Sequence, residues 1–429
     1  MLIKFFDAEN KSSFYQWLKK LEKHRFYKKE LKSLSQKATP LGKLSSLSML
    51  SRKEIDKILV NDKKISYVMR MRNQVSSEMV NIPLSKKDFE GLIIFEKDKF
   101  EKIGVNSQDI ASVIFFPLQH VIPMSLALQR LGAIYIPFEG DEEKVFFDVI
   151  NNKISFLVTT PSRVSKLIDF VKKTKLKSSL RLINTGGQKI KDYHFFKMKV
   201  KKYLGADLVD NIGSSELQNF AIHCREHEQY HFVSKDQIVE VIDPETKSIS
   251  DKGELVITPL WRKDFPLVRY KTRDIVKLIK SKKCSCGFAD PRVIKGIEGR
   301  LDQMIKLNGV LLPIYQIHQK LLKLWTEQIV ILDNLIWKYR DSPKLCLVVQ
   351  EKRRKDELFI FITKKRSAFF RRKNLLVKFC QKEFYLTPEV RVIEYNVFNK
   401  LFLESMLIDL RLKVNKMVNQ KAIKKLINV

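Results

Sequence analysis

The stretch that decides the fold runs from Asn211 to Val233 and reads NIGSSELQNFAIHCREHEQYHFV. A Gly-Ser-Ser-Glu turn ends at Glu216, and Cys224 follows eight residues later, with two histidines close behind it. Such a turn can place backbone N–H groups and one carboxylate together, as a phosphate and its cation require. Cysteine and histidine at short spacing are the ligands that Zn²⁺ prefers. The stretch therefore indicates two chemistries, one for a nucleotide and one for a metal.

Length and composition favour a packed protein of more than one domain. The chain has 429 residues, of which 44% are hydrophobic, and a net charge of +33. A positive field of this size attracts polyanions, but no basic run is flanked by a nucleic-acid motif, so we expect surface lysines rather than a nucleic-acid partner. No apolar run reaches the length of a membrane span, and the N-terminus lacks a secretory signal. We expect a cytoplasmic protein.

The pattern of helices and strands predicts an α/β fold. Residues 1–60 read as amphipathic helices, and two strands around the polar loop RNQVSSE (72–78) follow. Helix and strand signals then alternate: AIYIPF (133–138) reads as a buried strand, and Pro161 opens a helix. Alternation of this kind implies crossover units and a mainly parallel sheet.

A β-rich excursion and a smaller unit complete the predicted organisation. From His231 onwards the chain reads as strands and turns, and after Gly309 as a compact α+β unit with a helix near Pro313–Trp325 and another over Phe369–Phe384. The boundary is predicted at Arg300–Gln303. The predicted parts are a helical extension (1–60), a large domain with mainly parallel sheets (61–300) and a small α+β C-terminal domain (301–429).

An ordered series of short motifs resembles the phenylacetate–CoA ligase branch of the adenylate-forming acyl ligases, over nearly the whole chain. The motifs are TGGQ (Thr185–Gln188), LGADLVDNIGSSE (Leu204–Glu216), DFPLVRYKTRDI (Asp264–Ile275), CSCG (Cys284–Gly287) and IEGRLDQMIKLNG (Ile297–Gly309). The resemblance implies an enzyme that activates a carboxylic acid with ATP and transfers the acyl group to CoA or another thiol. Helices after FFPLQH and TTPSR are expected to line the acid pocket, whose apolar character suits an aryl or short acyl group.

The resemblance also assigns roles to individual residues. Glu216, preceded by Ser215, would position Mg²⁺ and phosphate, and Asp274 would bind the two ribose hydroxyls because a carboxylate accepts two hydrogen bonds. Arg300 would contact phosphate or ribose, and Asp302 would be the hinge of the small domain. The remaining nucleotide-binding positions are Gly186, Gly187, Gln188, Ile212 and Gly213.

Departures from the family pattern fall on the catalytic parts. The expected phosphate loop, Arg72–Glu78, contains no glycine, and Ile212 replaces the aromatic residue that stacks on adenine. Arg273 stands where the family has glycine. Leu403 aligns with the catalytic lysine, although Lys400 lies three residues away and a shifted alignment would restore it.

The same resemblance implies a structural zinc site. Its ligands would be Cys224, His231, Cys284 and Cys286, with His227 as the alternative histidine. Four protein ligands leave no open position on the metal, so such a site stabilises the fold and does not catalyse. The alternative interpretation is a group of reduced thiols.

Two main hypotheses follow for the function. The first is an AMP-forming acid–thiol ligase that uses ATP with Mg²⁺, a small carboxylic acid, and CoA or a carrier protein. The second is a catalytically impaired relative that acts as a binding or scaffold protein in a biosynthetic pathway. A third hypothesis, anion or nucleic-acid binding driven by charge, is the weakest because it has no motif behind it.

Overall fold

A computed structural model describes residues 8–24, 27–32, 47–50, 63–72, 79–114, 118–190, 192–224, 226–233, 237–280, 284, 286, 292–301, 304–307, 310–313, 345–352, 355–363, 377–378, 381, 389–393 and 407–409. The chain divides into two compact units, Met1–Glu298 and Gly299–Val429. The domain limits given by the sequence remain predictions at the level of single residues.

Seven helices are described in the first unit: α1 (Ala8–Lys23), α2 (Lys28–Lys32), α3 (Lys86–Lys102), α4 (Leu118–Arg130), α5 (Glu142–Asn151), α6 (Pro161–Thr174) and α7 (Tyr193–Leu204). Local sequence explains several of their ends. Ser85 caps α3, because its hydroxyl accepts a hydrogen bond from the N–H of Asp88. Pro161 begins α6 as predicted, and Gly205 ends α7 in the left-handed conformation.

The first helix buries one stripe of its surface. Phe14, Trp17, Leu18 and Leu21 recur at helical spacing and are all nearly inaccessible to solvent. They pack in one cluster with side chains such as Leu260 and Val268. The N-terminal helices are thus fixed to the β-rich part of the same unit.

The strands described in the first unit are β1 (Ile65–Arg72), β2 (Met79–Ser85), β3 (Ile110–Val113), β4 (Ile134–Tyr135), β5 (Phe156–Thr159), β6 (Leu182–Thr185), β7 (Asp207–Ser214), β8 (Gln218–His223), β9 (Tyr230–Phe232), β10 (Gln237–Ile242), β11 (Lys252–Pro259), β12 (Tyr270–Lys280) and β13 (Arg292–Ile294). Strands β1 and β2 form a separate antiparallel hairpin. The predicted phosphate loop between them lies outside the described residues from position 73 to 78.

One large mixed sheet organises the first unit. Its strands lie in the order β10-β11-β12-β13-β9-β8-β7-β6-β5-β3-β4. The pairs from β4 to β7 are parallel, whereas those from β7 to β10 are antiparallel. The parallel part confirms the predicted crossover units, and the β-rich excursion continues the same sheet.

The predicted buried strand AIYIPF is shorter and more exposed than expected. Only Ile134 and Tyr135 form β4, and the side chain of Ile134 is 59% exposed. This strand lies at the end of the sheet, where one edge has no neighbouring strand among the described residues. An apolar run alone does not distinguish an edge strand from a central one.

The second unit contains the strands β14 (Gly299–Arg300), β15 (Met304–Leu307), β16 (Val310–Pro313), β17 (Leu345–Lys352), β18 (Lys355–Thr363), β19 (Glu389–Ile393) and β20 (Leu407–Asp409). The last four form a sheet in the order β19-β18-β17-β20. Strand β16 ends at Pro313, where the sequence predicted the start of a helix. The rest of that helix lies outside the described residues, as does most of the helix predicted over Phe369–Phe384.

Candidate functional site

The first group of predicted nucleotide residues follows the carboxyl end of β6. Gly186 and Gly187 come directly after Thr185, and Gly187 adopts a φ of 78°, which glycine reaches without steric cost. The side chain of Gln188 accepts a hydrogen bond (3.0 Å) from the N–H of Ser162 in the first turn of α6. The loop is therefore tied to the adjacent helix at the edge of the parallel strands, where ligands of open α/β sheets bind.

A tight hairpin between β7 and β8 carries the second group. A Cβ on Gly213 would lie 2.6 Å from the carbonyl oxygen of Gln218, so only glycine fits there. The hydroxyl of Ser214 accepts a hydrogen bond from Leu217 N–H (3.2 Å), which closes the turn. Ile212 is buried in an apolar cluster, whereas Ser215 is partly exposed.

Glu216 is held in this turn by a buried arginine that sequence reasoning missed. The side chain of Glu216 is buried, and its carbonyl oxygen accepts a hydrogen bond (3.3 Å) from the fully buried guanidinium of Arg262. The same guanidinium donates to the carbonyl oxygens of Pro83 (2.7 Å) and Phe265 (2.9 Å). Burial lowers the pKa of Arg262 to about 10, so the group still carries its charge at neutral pH.

Asp274 lies on β12 and is completely buried. Its N–H donates to the hydroxyl of Thr272 (3.1 Å), which in turn donates to the carbonyl oxygen of Leu255 (2.8 Å). Arg273, at the position where the family has glycine, has a φ of 69°. The pairing of β11 with β12 is irregular at this point, which indicates a bulge. That Asp274 and Glu216 approach one ligand remains a prediction.

The other predicted nucleotide residues belong to the second unit. Arg300 is partly exposed on β14. Asp302 and Lys400 lie outside the described residues. Their roles remain predictions.

A polar pair next to the Glu216 turn was also missed. The side-chain amide nitrogen of Gln218 donates a hydrogen bond to the carbonyl oxygen of Ser215 (3.1 Å). The side-chain oxygen of Gln218 lies 3.0 Å from Nδ1 of His120. Since the Gln218 oxygen can only accept, Nδ1 of His120 carries the proton. Burial is the main reason that the pKa of His120 is lowered, so we treat this imidazole as neutral at physiological pH.

Asp210, at the end of the parallel strands, is a further unpredicted group. Its oxygens accept hydrogen bonds from the hydroxyls of Thr185 (2.6 Å) and Tyr230 (2.8 Å). Burial outweighs these hydrogen bonds and raises the pKa of Asp210 to about 7. An acidic residue within the largely apolar run LVDNI was the available signal, but a sequence does not show how deeply the carboxyl is buried.

The predicted metal ligands converge in space. The ligand atoms of Cys224, His231, Cys284 and Cys286 all lie within 4.8 Å of one another. Cys224 follows β8 and His231 lies on β9, while both other cysteines follow β12. Strands β8, β9, β13 and β12 are neighbours in the sheet, so sheet order brings the loops together. The alternative ligand His227 places Nδ1 at 3.8 Å from Cys224 Sγ and at 3.5 Å from Cys284 Sγ.

The chemistry of this cluster suits a soft divalent metal. The Sγ atoms of Cys224 and Cys284 are 3.5 Å apart, and His231 is completely buried. Burial disfavours the Cys284 thiolate, but hydrogen bonds from Cys286 and other neighbours outweigh it and lower the pKa of Cys284 to about 6. A thiolate is the form that binds a metal. Three sulfurs and one imidazole nitrogen are a preferred Zn²⁺ ligand set.

Comparisons with known proteins agree with the fold and with part of the sequence pattern. The chain is 30% identical over 207 residues to a phenylacetate-coenzyme A ligase of Pseudomonas putida, which covers 46% of this chain and 45% of that enzyme. It is 27% identical over 205 residues to the Aromatoleum evansii phenylacetate-coenzyme A ligase, over 46% and 45% of the two chains. The match thus spans about half the length of these curated relatives. No protein-family model matches the chain.

A solved structure resembles nearly the whole chain. The 2-hydroxyisobutyryl-CoA ligase in the postadenylation state, in complex with R3-HIB-AMP, aligns over 99% of this chain and 93% of its own, with a TM-score of 0.66 and 16% identity. At this identity the likeness concerns the fold. No helix among the described residues is both long enough and apolar enough to span a membrane. The resemblance to phenylacetate-coenzyme A ligases is therefore confirmed in sequence for about half of the chain, and nearly the whole chain shares the fold of the 2-hydroxyisobutyryl-CoA ligase.

Proposed function

We propose that the protein activates a small carboxylic acid with ATP to an acyl-adenylate and transfers the acyl group to CoA or another thiol. The observation that carries this proposal is the 30% identity to a phenylacetate-coenzyme A ligase over 207 residues. The Gly213 hairpin, whose close approach excludes any side chain, and the buried Glu216 support it. A thiol on a carrier protein is the alternative acceptor.

Each nucleotide residue would have a defined task in this reaction. Glu216 would help to hold the Mg²⁺ that neutralises charge on the phosphates, and Asp274 would accept two hydrogen bonds from the ribose. The loop of Gly186 and Gly187 would admit the adenine close to the backbone. Arg300 would contact phosphate or ribose. Lys400 would stabilise charge on the reacting groups if it takes the place of the family lysine.

The second candidate function is a catalytically impaired relative that acts as a binding or scaffold protein in a biosynthetic pathway. Its support is chemical: residues 72–78 contain no glycine, and Ile212 offers no aromatic face to adenine. One lost stabilising donor commonly costs about 10²–10³-fold in rate. Several such losses would leave binding while nearly abolishing adenylation.

Two measurements separate the candidates. Isothermal titration with AMP and with ATP plus Mg²⁺ tests the nucleotide site itself, and the absence of binding at millimolar nucleotide would remove the first candidate. Acid-dependent pyrophosphate release tests the enzyme. We expect Glu216→Gln to lower that release at least about 100-fold, whereas Glu143→Gln, at a position that is 76% exposed, should leave it unchanged.

We also propose that Cys224, His231, Cys284 and Cys286 hold a structural Zn²⁺. The support is the convergence of four ligand atoms within 4.8 Å. Elemental analysis of the purified protein should give about one zinc per chain, and His231→Ala should remove it. His227→Ala is the matched control and should retain the metal. Loss of zinc in the His227 variant alone would assign the histidine ligand differently.

The remaining assignments follow from this function. A cytoplasmic location fits a cluster of free cysteines that needs reducing conditions. The expected partners are the acid, the nucleotide and the acceptor thiol. Nucleic acid is not proposed as a partner, because no basic run of the sequence is flanked by a nucleic-acid motif.

A further inference from the structure

A buried ion pair lies beneath the Glu216 hairpin. Glu96 and Lys99 on α3 form a salt bridge with both side chains fully buried. Burial lowers the pKa of Lys99, and the charge of Glu96 opposes this change. Replacing a buried ion pair by apolar residues of similar volume is often neutral or stabilising, so the presence of the pair is weak evidence of a stabilising role. We therefore expect the pair to position a neighbouring group.

The second oxygen of Glu96 is directed at the hairpin. Its Oε1 atom accepts a hydrogen bond (3.4 Å) from Nδ2 of Asn219, the second residue of β8. The positive charge of Lys99 balances the negative charge of Glu96. Because an ionised carboxylate can only accept hydrogen bonds, the amide nitrogen of Asn219 faces Glu96. The amide oxygen is thereby turned the opposite way.

The Asn219 oxygen faces the two glycine segments of the nucleotide site. Its Oδ1 atom lies 3.0 Å from the Cβ that a side chain at Gly213 would have, and 3.8 Å from the corresponding point at Gly186. Asn219 is itself partly exposed. A hydrogen-bond acceptor of fixed direction is thus present where the hairpin and the β6 loop meet.

The residue before Asn219 contacts a helix that is expected to line the acid pocket. The side chain of Gln218 faces His120 on α4, the helix that begins at Leu118 within FFPLQH. Asn219 therefore lies against the two glycine segments and next in sequence to a residue that contacts α4. That α4 lines the acid site remains a prediction.

We propose that Asn219 selects acids that carry a hydroxyl or amino group, whose O–H or N–H donates a hydrogen bond to Asn219 Oδ1. Glu96 and Lys99 act through Asn219 as positioning residues, since they fix the direction of its amide. This inference rests on the proposed acyl-adenylate site. It concerns selectivity for the acid and does not require the enzyme to be fast.

The test uses stable acyl-adenylate analogues, so that it works with an impaired catalyst. Titration calorimetry compares N-acylsulfamoyl adenosines in two matched pairs: butyryl with 2-hydroxybutyryl, and phenylacetyl with 4-hydroxyphenylacetyl. We expect a hydroxylated member to bind the wild-type protein about tenfold more tightly than its parent, because the parent leaves the acceptor without a hydrogen bond. Equal affinities within about twofold for both pairs would overturn the inference.

Substitutions then test whether Asn219 Oδ1 causes the tighter binding of the hydroxylated analogues. Asn219→Leu keeps the size of the side chain but removes the acceptor, and it should abolish the tenfold preference while AMP affinity changes less than about threefold. The paired change Glu96→Gln with Lys99→Met removes the buried charges together and should weaken the preference by freeing the amide. Asn152→Leu, an exposed control, should retain it. A preference that survives in Asn219→Leu would overturn the assignment.

Failure of this inference is distinguishable from failure of the proposed function. Titration of wild-type protein with AMP reports on the nucleotide site alone. Absence of AMP binding would remove the proposed function and this inference together. AMP binding with no discrimination between the paired analogues would remove only the inference, and that comparison does not depend on the folding of any variant.

Discussion

At the scale of single residues, Arg273 has a left-handed backbone conformation, which is unusual for a residue other than glycine. It has a φ of 69°, although it is not glycine. Its guanidinium lies 3.8 Å from Glu254 and is 43% exposed, so this ion pair contributes little. The backbone at Arg273 therefore has a conformation that suits glycine better than arginine.

We predict that Arg273→Gly stabilises the protein by about 0.5–1 kcal/mol, because glycine removes the steric cost of the left-handed conformation. Urea unfolding measures the change. Gly205→Ala is the matched control: Gly205 has a φ of 71°, and an added Cβ would meet no atom within 4 Å. That control isolates the backbone cost and should destabilise by about 1 kcal/mol. Loss of stability in Arg273→Gly would show that the arginine contacts outweigh the strain.

The buried carboxyl of Asp210 predicts a pH dependence. Its pKa is raised from 3.8 to about 7, mainly by burial, so the folded protein holds a proton that the unfolded chain releases. This contribution to stability is complete below about pH 4 and is lost as the pH rises towards about 7. Its slope approaches 1.4 kcal/mol per pH unit. Asp210→Asn should remove that slope from urea unfolding curves measured between pH 4.5 and 8, and an unchanged slope would contradict the assignment.

At the scale of elements, one aspartate joins α3 to the segment between β11 and β12. The carboxylate of Asp88 accepts hydrogen bonds from the N–H groups of Lys263 (2.7 Å), Asp264 (3.1 Å) and Phe265 (2.9 Å). The charge of Asp88 also supports the buried guanidinium of Arg262. Because Arg262 contacts the Glu216 turn, this junction fixes a helix, a strand connection and the candidate site in one place.

Asp88→Ala should therefore destabilise the protein by about 3 kcal/mol, since one buried and two partly buried N–H groups lose their acceptor and a buried cation loses a nearby charge. Thermal or urea unfolding measures this loss. Asp98→Ala on the exposed side of the same helix is the control and should change stability by less than about 0.5 kcal/mol. Similar effects of the two substitutions would show that the junction is not a stabilising element.

Elements that depend on local chemistry were predictable, and those that depend on distant contacts were not. Pro161 and the run of strands and turns after His231 gave correct elements, because their signals lie within a few residues. The exposure of Ile134 depends on where β4 lies in the sheet, which no local pattern states. The Cys224 cluster was found because its residue types are rare and specific. Asp88 and Phe265 are 177 residues apart, so nothing in either segment predicted their contact.

At the scale of the whole molecule, the net charge of +33 is the dominant electrostatic property. Many lysines of the described helices are exposed, and some lie over aromatic rings, such as Lys172 at 4.1 Å from the ring centre of Tyr203. A field of this sign raises the local concentration of anionic ligands without any specific contact. ATP and CoA both carry several negative charges, so we expect the proposed ligands to benefit from it.

This field predicts that nucleotide binding depends on ionic strength in proportion to ligand charge. Screening shortens the range of the field from about 10 Å at 0.1 M salt to about 3 Å at 1 M salt. Across that change, we expect the affinity for ATP to fall at least about tenfold, and that for AMP to fall less. Uncharged adenosine is the control, and its affinity should change less than about twofold. Titration calorimetry of the three ligands at both salt concentrations measures this. An equal response of ATP and adenosine would mean that the lysines act only as a solvated surface and that the site recognises its nucleotide through local contacts alone.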